Sequence, residues 1–194
     1  YFDFTSITMT NYSEFTSSNL VKCDGDAYIV DSKFTINYAA PSSDYDGTCG
    51  LMGSGNIYID DGEVNANSVR NSVNYPGFIA FTGNCTACNR SKVFGYFGWS
   101  NGVVPIYVYN SAEPTYPALS YPEVEDVITT VQNSEVYNVT GVQSIVTGST
   151  IDKDVISGFA NITGNIIKGD VHLQCQKAYQ YTKDYISTLG TAPT

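Results

Sequence analysis

Charge is what this chain has least of. Asp, Glu, Lys and Arg supply 14% of its 194 residues, against roughly 25% in ordinary soluble domains. The nine basic residues are scattered, with no Lys/Arg stripe on any one face. This excludes the electrostatic footprint that nucleic acids and anionic membranes require. No apolar run approaches the ~18 residues of a spanning helix, so no membrane span is expected. Catalytic signatures are equally thin. There is one histidine, His172, alternating with Val171 and Leu173 as a strand residue on a sheet face would. No G-x-S-x-G elbow is present, and Gly53-Ser54-Gly55 reads as loop. Cys85-Thr86-Ala87-Cys88 has zinc or redox spacing but lacks the second ligand pair that zinc needs and the βαβ setting of a redox site. The expectation is a non-enzymatic protein with no cofactor and no metal. Asp24/Asp26, Asp44/Asp46 and Asp60/Asp61 sit beside glycines and read as solvated turns; none fits a calcium loop.

Polarity comes instead from Ser, Thr, Asn, Gln and Tyr, with a net charge of −10 and a pI near 4.2. Five asparagines, Asn11, Asn84, Asn89, Asn138 and Asn161, head N-x-S/T acceptors. With five cysteines and a start lacking Met, they point to a secreted, N-glycosylated, extracellular protein whose leader has been removed. Cys23, Cys49, Cys85 and Cys88 are the disulfide candidates. Cys23 and Cys49 bracket a long strand, Cys85 and Cys88 share a loop, and Cys175 makes the count odd, so the pairing stays open.

The periodicity is that of strands. AYIVDSKFTINYAA puts Tyr28, Val30, Phe34, Ile36 and Tyr38 on one parity and predicts one long strand. NIYID and GFIAFT are further strands, and KVFGYFGW and VVPIYVYN flank an Asn101-Gly102 hairpin turn. Val124, Val127, Ile128 and Val131 fit a helix or a strand, as does the tail from Cys175 to Leu189. Short runs ending in Thr-Gly between 135 and 173 recur at unequal spacing, which predicts successive strands and turns and not a solenoid. The fold class expected is mainly β, an immunoglobulin-like or related antiparallel β-sandwich spanning 15–194, with an N-terminal extension strand in 1–14. Trp99 and the sixteen tyrosines serve either a core or a sugar-stacking surface.

The head YFDFTSITMT carries Phe2 and Phe4 on one parity and Ile7 and Met9 on the other. A strand apolar on both faces must be enclosed, and a neighbouring subunit can enclose it by donor-strand complementation, with Tyr1, Phe2, Phe4, Ile7 and Met9 at the interface. With its sequons and a hydroxyl- and Tyr-rich body, the chain resembles the extracellular thread-type and other donor-strand filament subunits of archaea. The resemblance implies a glycan-coated homopolymeric, pilus-like fibre assembled head to tail, serving adhesion to other cells or surfaces. The competing expectation is a receptor- or glycan-binding β domain of a larger viral or cellular surface glycoprotein.

Overall fold

A computed structural model describes residues 2–39, 50–99 and 127–173. Strands alone carry the fold there, and successive strands turn corners so that the chain winds into coils. The first coil holds β1 (Phe2–Phe4), β2 (Ile7–Met9) and β3 (Glu14–Ser17). The second holds β4 (Val21–Cys23), β5 (Ala27–Val30) and β6 (Lys33–Ala39). The third holds β7 (Gly50–Gly53), β8 (Ile57–Asp60) and β9 (Glu63–Arg70), with β10 (Val73–Pro76) folded back on β9. Then come β11 (Phe78–Phe81), β12 (Cys85–Cys88), β13 (Lys92–Trp99), β14 (Ile128–Gln132) and β15 (Glu135–Thr147). The last are β16 (Thr150–Ile151), β17 (Val155–Thr163), β18 (Ile166–Ile167) and β19 (Val171–Leu173).

Each strand pairs in parallel with its counterpart one coil on. The first wall runs β1, β4, β7, β11, then parts of β13, β15 and β17, then β19. The second runs β2, β5, β8, β12, β14, then parts of β15 and β17. The third runs β3, β6, β9, then parts of β13 and β15, then β16 and β18. The result is a three-walled parallel β-solenoid, a nearly closed barrel-like sheet. The β9–β10 hairpin is the antiparallel exception among the described pairings. The antiparallel sandwich expected from the sequence is therefore incorrect. A solenoid strand and a sandwich strand both need one apolar and one polar face, so alternation cannot tell them apart.

Stacking in register puts apolar residues over apolar residues. On the first wall Val21, Leu51, Ile79, Phe97, Val139 and Val155 form one inward column, each 3% exposed or less. On the second, Met9, Ile29, Ile59, Ala87, Val131 and Val146 form another. Burying a Val, Leu, Ile or Phe side chain is worth about 1.5–3 kcal/mol, so these columns hold the coils together.

The corner between the second and third walls is built from a recurring pair. Tyr12, Asp31, Asp61, Arg90, Asn133, Gly148 and Gly164 all have positive φ, from 46° to 68°. The next residue in each case is Ser13, Ser32, Gly62, Ser91, Ser134, Ser149 or Asn165. The left-handed residue turns the chain, and the polar residue satisfies the corner amides. Ser13 N–H donates to Ser32 Oγ, Gly62 N–H to Ser91 Oγ, Ser134 N–H to Ser149 Oγ and Ser149 N–H to Asn165 Oδ1, at 2.9 to 3.3 Å. A second polar ladder lines the corner between the first and second walls. There Asn56 N–H donates to Asp26 Oδ1, Asn84 N–H to Asn56 Oδ1 and Ile128 N–H to Asn84 Oδ1, at 2.8 to 2.9 Å.

This corner geometry revises the expected long strand. Asp31 and Ser32 break it, so Tyr28 points outward while Ala27 and Ile29 point in, and Phe34 and Ile36 are the buried residues beyond the turn. Ile128 to Gln132 is strand, not helix. Lys92, Val93, Tyr96, Phe97 and Gly98 of β13 have parallel partners on both edges, which leaves no ladder at those residues for an antiparallel arm. The expected Asn101-Gly102 turn, Cys49 and the tail from Cys175 lie outside the described residues.

Ser91 is fully buried; its hydroxyl accepts from Gly62 N–H and donates to the Cys88 carbonyl at 2.6 Å. Ser91→Ala removes both contacts and leaves buried groups unpaired, so urea denaturation is expected to show a loss of about 1–3 kcal/mol. Ser18→Ala, at an exposed position, is expected to change stability by less than about 0.5 kcal/mol.

Candidate functional site

The N-terminal segment, expected to lie in a neighbouring subunit, lies in its own sheet. Phe2 to Phe4 pair with Val21 to Cys23, and Ile7 to Met9 pair with Ala27 to Ile29. Thr5 and Ser6 form a corner between the two short strands, and the parity switch in the sequence is that corner. Ile7 and Met9 are buried, Phe4 packs edge-on against Phe15 at 5.9 Å, and Phe2 is 46% exposed. Residues 2–14 are thus part of the winding among the described residues.

The five N-x-S/T asparagines divide by exposure. Asn11 and Asn89 occupy positive-φ turn positions beside the second-to-third corner and are exposed. Asn84 is exposed at the other polar corner, where its Oδ1 is engaged and its Nδ2 is not used in the ladder. Asn161 is exposed on the outer face of the second wall, in register with Ile145. Asn138 is 1% exposed; its Oδ1 accepts from Asp154 N–H at 3.3 Å and its Nδ2 donates to Thr140 Oγ1 at 3.4 Å. A glycan there has no route to solvent.

Cys23, Cys85 and Cys88 are buried free thiols. Cys85 and Cys88 lie on one strand, β12, three residues apart, which sends their side chains to opposite faces and prevents a bridge between them. Burial pushes the Cys85 thiol up to about 12 and raises Cys23 and Cys88 as well. Cys88 Sγ donates to Tyr58 Oη at 3.6 Å, and Tyr58 Oη donates to Asp60 at 3.0 Å. Those two hydrogen bonds, Cys88 first, raise the Tyr58 hydroxyl above its ordinary range.

The expected turn carboxylates are spent on turns and exposed pairs. Asp24 pairs with Lys22, Asp61 with Arg90, and Asp60 also accepts from Asn89 Nδ2. Asp44 and Asp46 lie outside the described residues. His172 is on strand β19, as read from the sequence, stacked on Ile156. Its carboxylate neighbours were not foreseen. Donor atoms of Asp154, Asp170 and His172 lie within 4.8 Å of one another, the one such potential ligand group among the described residues. Asp154 and Asp170 occupy the same corner in consecutive coils, and Asp170 N–H donates to Asp154 Oδ1 at 2.8 Å, so this carboxylate already serves the winding.

Two outer features are continuous over several coils. Thr8, Tyr28, Tyr58, Thr86 and Thr130 form a column up the second wall, with the Tyr28 and Tyr58 rings 6.4 Å apart. Glu14, Lys33, Glu63, Lys92 and Glu135 form a column of alternating sign on the third. Lys33 Nζ lies 3.0 Å from Glu63, and Asn65 donates to Glu63 at 2.7 Å. The Asn65 hydrogen bond first, then Lys33, hold the Glu63 carboxyl below its usual range. Trp99 is 7% exposed and provides no stacking platform. Comparison with known proteins adds no relative: no family model, no curated protein and no solved structure matches this chain.

Because only the thiolate alkylates, iodoacetamide at pH 8 to 9 is expected to leave Cys23, Cys85 and Cys88 unlabelled in the folded chain and to label all three in urea. Peptide mass mapping checks this, and rapid native labelling of Cys85 would contradict its burial.

Proposed function

We propose that the chain is an extracellular, N-glycosylated structural module, a rigid β-solenoid of a surface fibre or coat that serves adhesion or cell contact without catalysis. The observation that supports this most is the placement of Asn11, Asn84, Asn89 and Asn161 on exposed corners and an outer face, where glycans can be carried without disturbing any inward column. Strand donation is not part of the proposal, because β1 and β2 are paired within the chain. Glycopeptide mass spectrometry of the protein secreted by its natural host is the test. Occupancy is expected at these four asparagines and not at Asn138. Four bare sites, or a glycan on Asn138 in folded protein, would overturn the reading.

The outer column of the second wall favours a second reading, a glycan-binding surface. Tyr28 is 43% exposed and stands beside Tyr58 between threonines, a π-face flanked by hydroxyls. Under this reading Tyr28→Ala abolishes binding on a glycan array while leaving the unfolding midpoint within about 0.5 kcal/mol of the parent. An array with no ligand for the parent chain leaves the structural reading alone.

A further inference from the structure

We propose that the glycan on Asn89 folds back over the outer face of the second wall and seats its first sugars on the Tyr58 and Tyr28 rings, so that this column binds a carbohydrate of its own chain. The proposal rests on the reading of the chain as N-glycosylated and goes further by naming what the tyrosines hold. Asn89 stands at an exposed corner with a φ of 53°. Its Nδ2 donates to Asp60 Oδ1 at 2.8 Å, and Tyr58 Oη donates to the other oxygen of the same carboxylate at 3.0 Å. One carboxylate therefore ties the acceptor nitrogen to an aromatic ring of the adjacent coil. An asparagine amide carries two N–H donors. A sugar on Nδ2 takes the place of one hydrogen and leaves the other, so the bond to Asp60 is compatible with the modification.

The Asp60 bond turns the Asn89 amide toward the coil of β8, and the surface that begins there is continuous. Tyr28 is the in-register neighbour of Tyr58, with the ring centroids 6.4 Å apart, and it is 43% exposed. Thr86 and Thr8 extend the column on either side with hydroxyls. A tyrosine offers an apolar ring face and a polar tip, which matches the C–H face and the hydroxyl rim of a pyranose. The other exposed acceptors lack this tie. Asn11 Nδ2 donates to the adjacent Thr10 Oγ1 at 3.3 Å, Asn84 Oδ1 serves Ile128 N–H at the other polar corner, and Asn161 Oδ1 accepts from Thr163 of its own strand. Asn89 is the acceptor whose hydrogen bonding leads to the tyrosines.

The test compares the full chain secreted by its natural host with its Asn89→Gly variant, which tolerates the positive-φ corner and lacks the acceptor. Glycopeptide mass mapping reports whether Asn89 is occupied, and nitration by tetranitromethane, followed peptide by peptide, reports access to each ring. Tyr28 is expected to nitrate about two- to ten-fold more slowly in the parent than in the variant, the protection given by an aromatic contact of ordinary strength. Tyr12, 86% exposed, is expected to nitrate at one rate in both. Removing the glycans of the parent with a glycan amidase is expected to bring Tyr28 to the rate of the variant. An occupied Asn89 with Tyr28 equally reactive in all three proteins overturns the inference and leaves the glycosylated module standing. A bare Asn89 beside occupied Asn11, Asn84 and Asn161 has the same meaning, whereas four bare sites overturn both. Slow nitration that survives the amidase also overturns the inference, because the Asn89 side chain and not its sugar then covers the ring.

Discussion

Everything in this molecule depends on parallel, in-register pairing from coil to coil. Once backbone ladders fix the register, each residue sits about 4.8 Å from its counterpart above and below, and side chains at one position must tolerate their own kind. Apolar residues gain from this, which is why Val21, Leu51, Ile79 and Phe97 can follow one another up one wall. Like charges directly opposite are destabilising. The third wall resolves that constraint by alternation, Glu14 to Lys33 to Glu63 to Lys92 to Glu135. Corner amides, which leave the ladder, cannot remain unpaired when buried. The serine hydroxyls and the Asp26, Asn56 and Asn84 side chains accept them.

That constraint was written in the sequence in a form that strand periodicity misses. The tetrapeptides YSEF, DSKF, DGEV, RSKV, NSEV, GSTI and GNII, beginning at Tyr12, Asp31, Asp61, Arg90, Asn133, Gly148 and Gly164, are the successive turns of one corner. Each supplies a left-handed residue, a corner residue that is polar except at Gly62, an outward residue and an inward apolar one. Residues 40–49 fall between β6 and β7, β10 enters after β9, and 100–126 fall between β13 and β14. These insertions spread the repeat to unequal spacings, so a fixed-period search sees none. The β content and most strand positions were legible because alternation is local. The winding was not, because it is carried by matches between distant short words.

The same logic explains which site residues could be read. Asparagine is favoured at corners for its tolerance of positive φ and its short side-chain acceptor, so a solenoid accumulates N-x-S/T matches for structural reasons alone. Asn11 and Asn89 are turn residues first, and Asn138 is a buried corner residue whose sequon carries no accessible acceptor. Only burial, invisible in the sequence, separates them. The C-x-x-C spacing misled similarly: on a loop it allows a bridge, on strand β12 it divides the thiols between two faces.

A wound sheet also separates stability from recognition more sharply than a sandwich does. Inward columns and corner ladders bind the residues that touch them to one chemistry, while outward positions such as Thr8, Tyr28 and Thr86 answer to little beyond their neighbours in the same column. Recognition along the walls must therefore be read as columns, at the coil spacing.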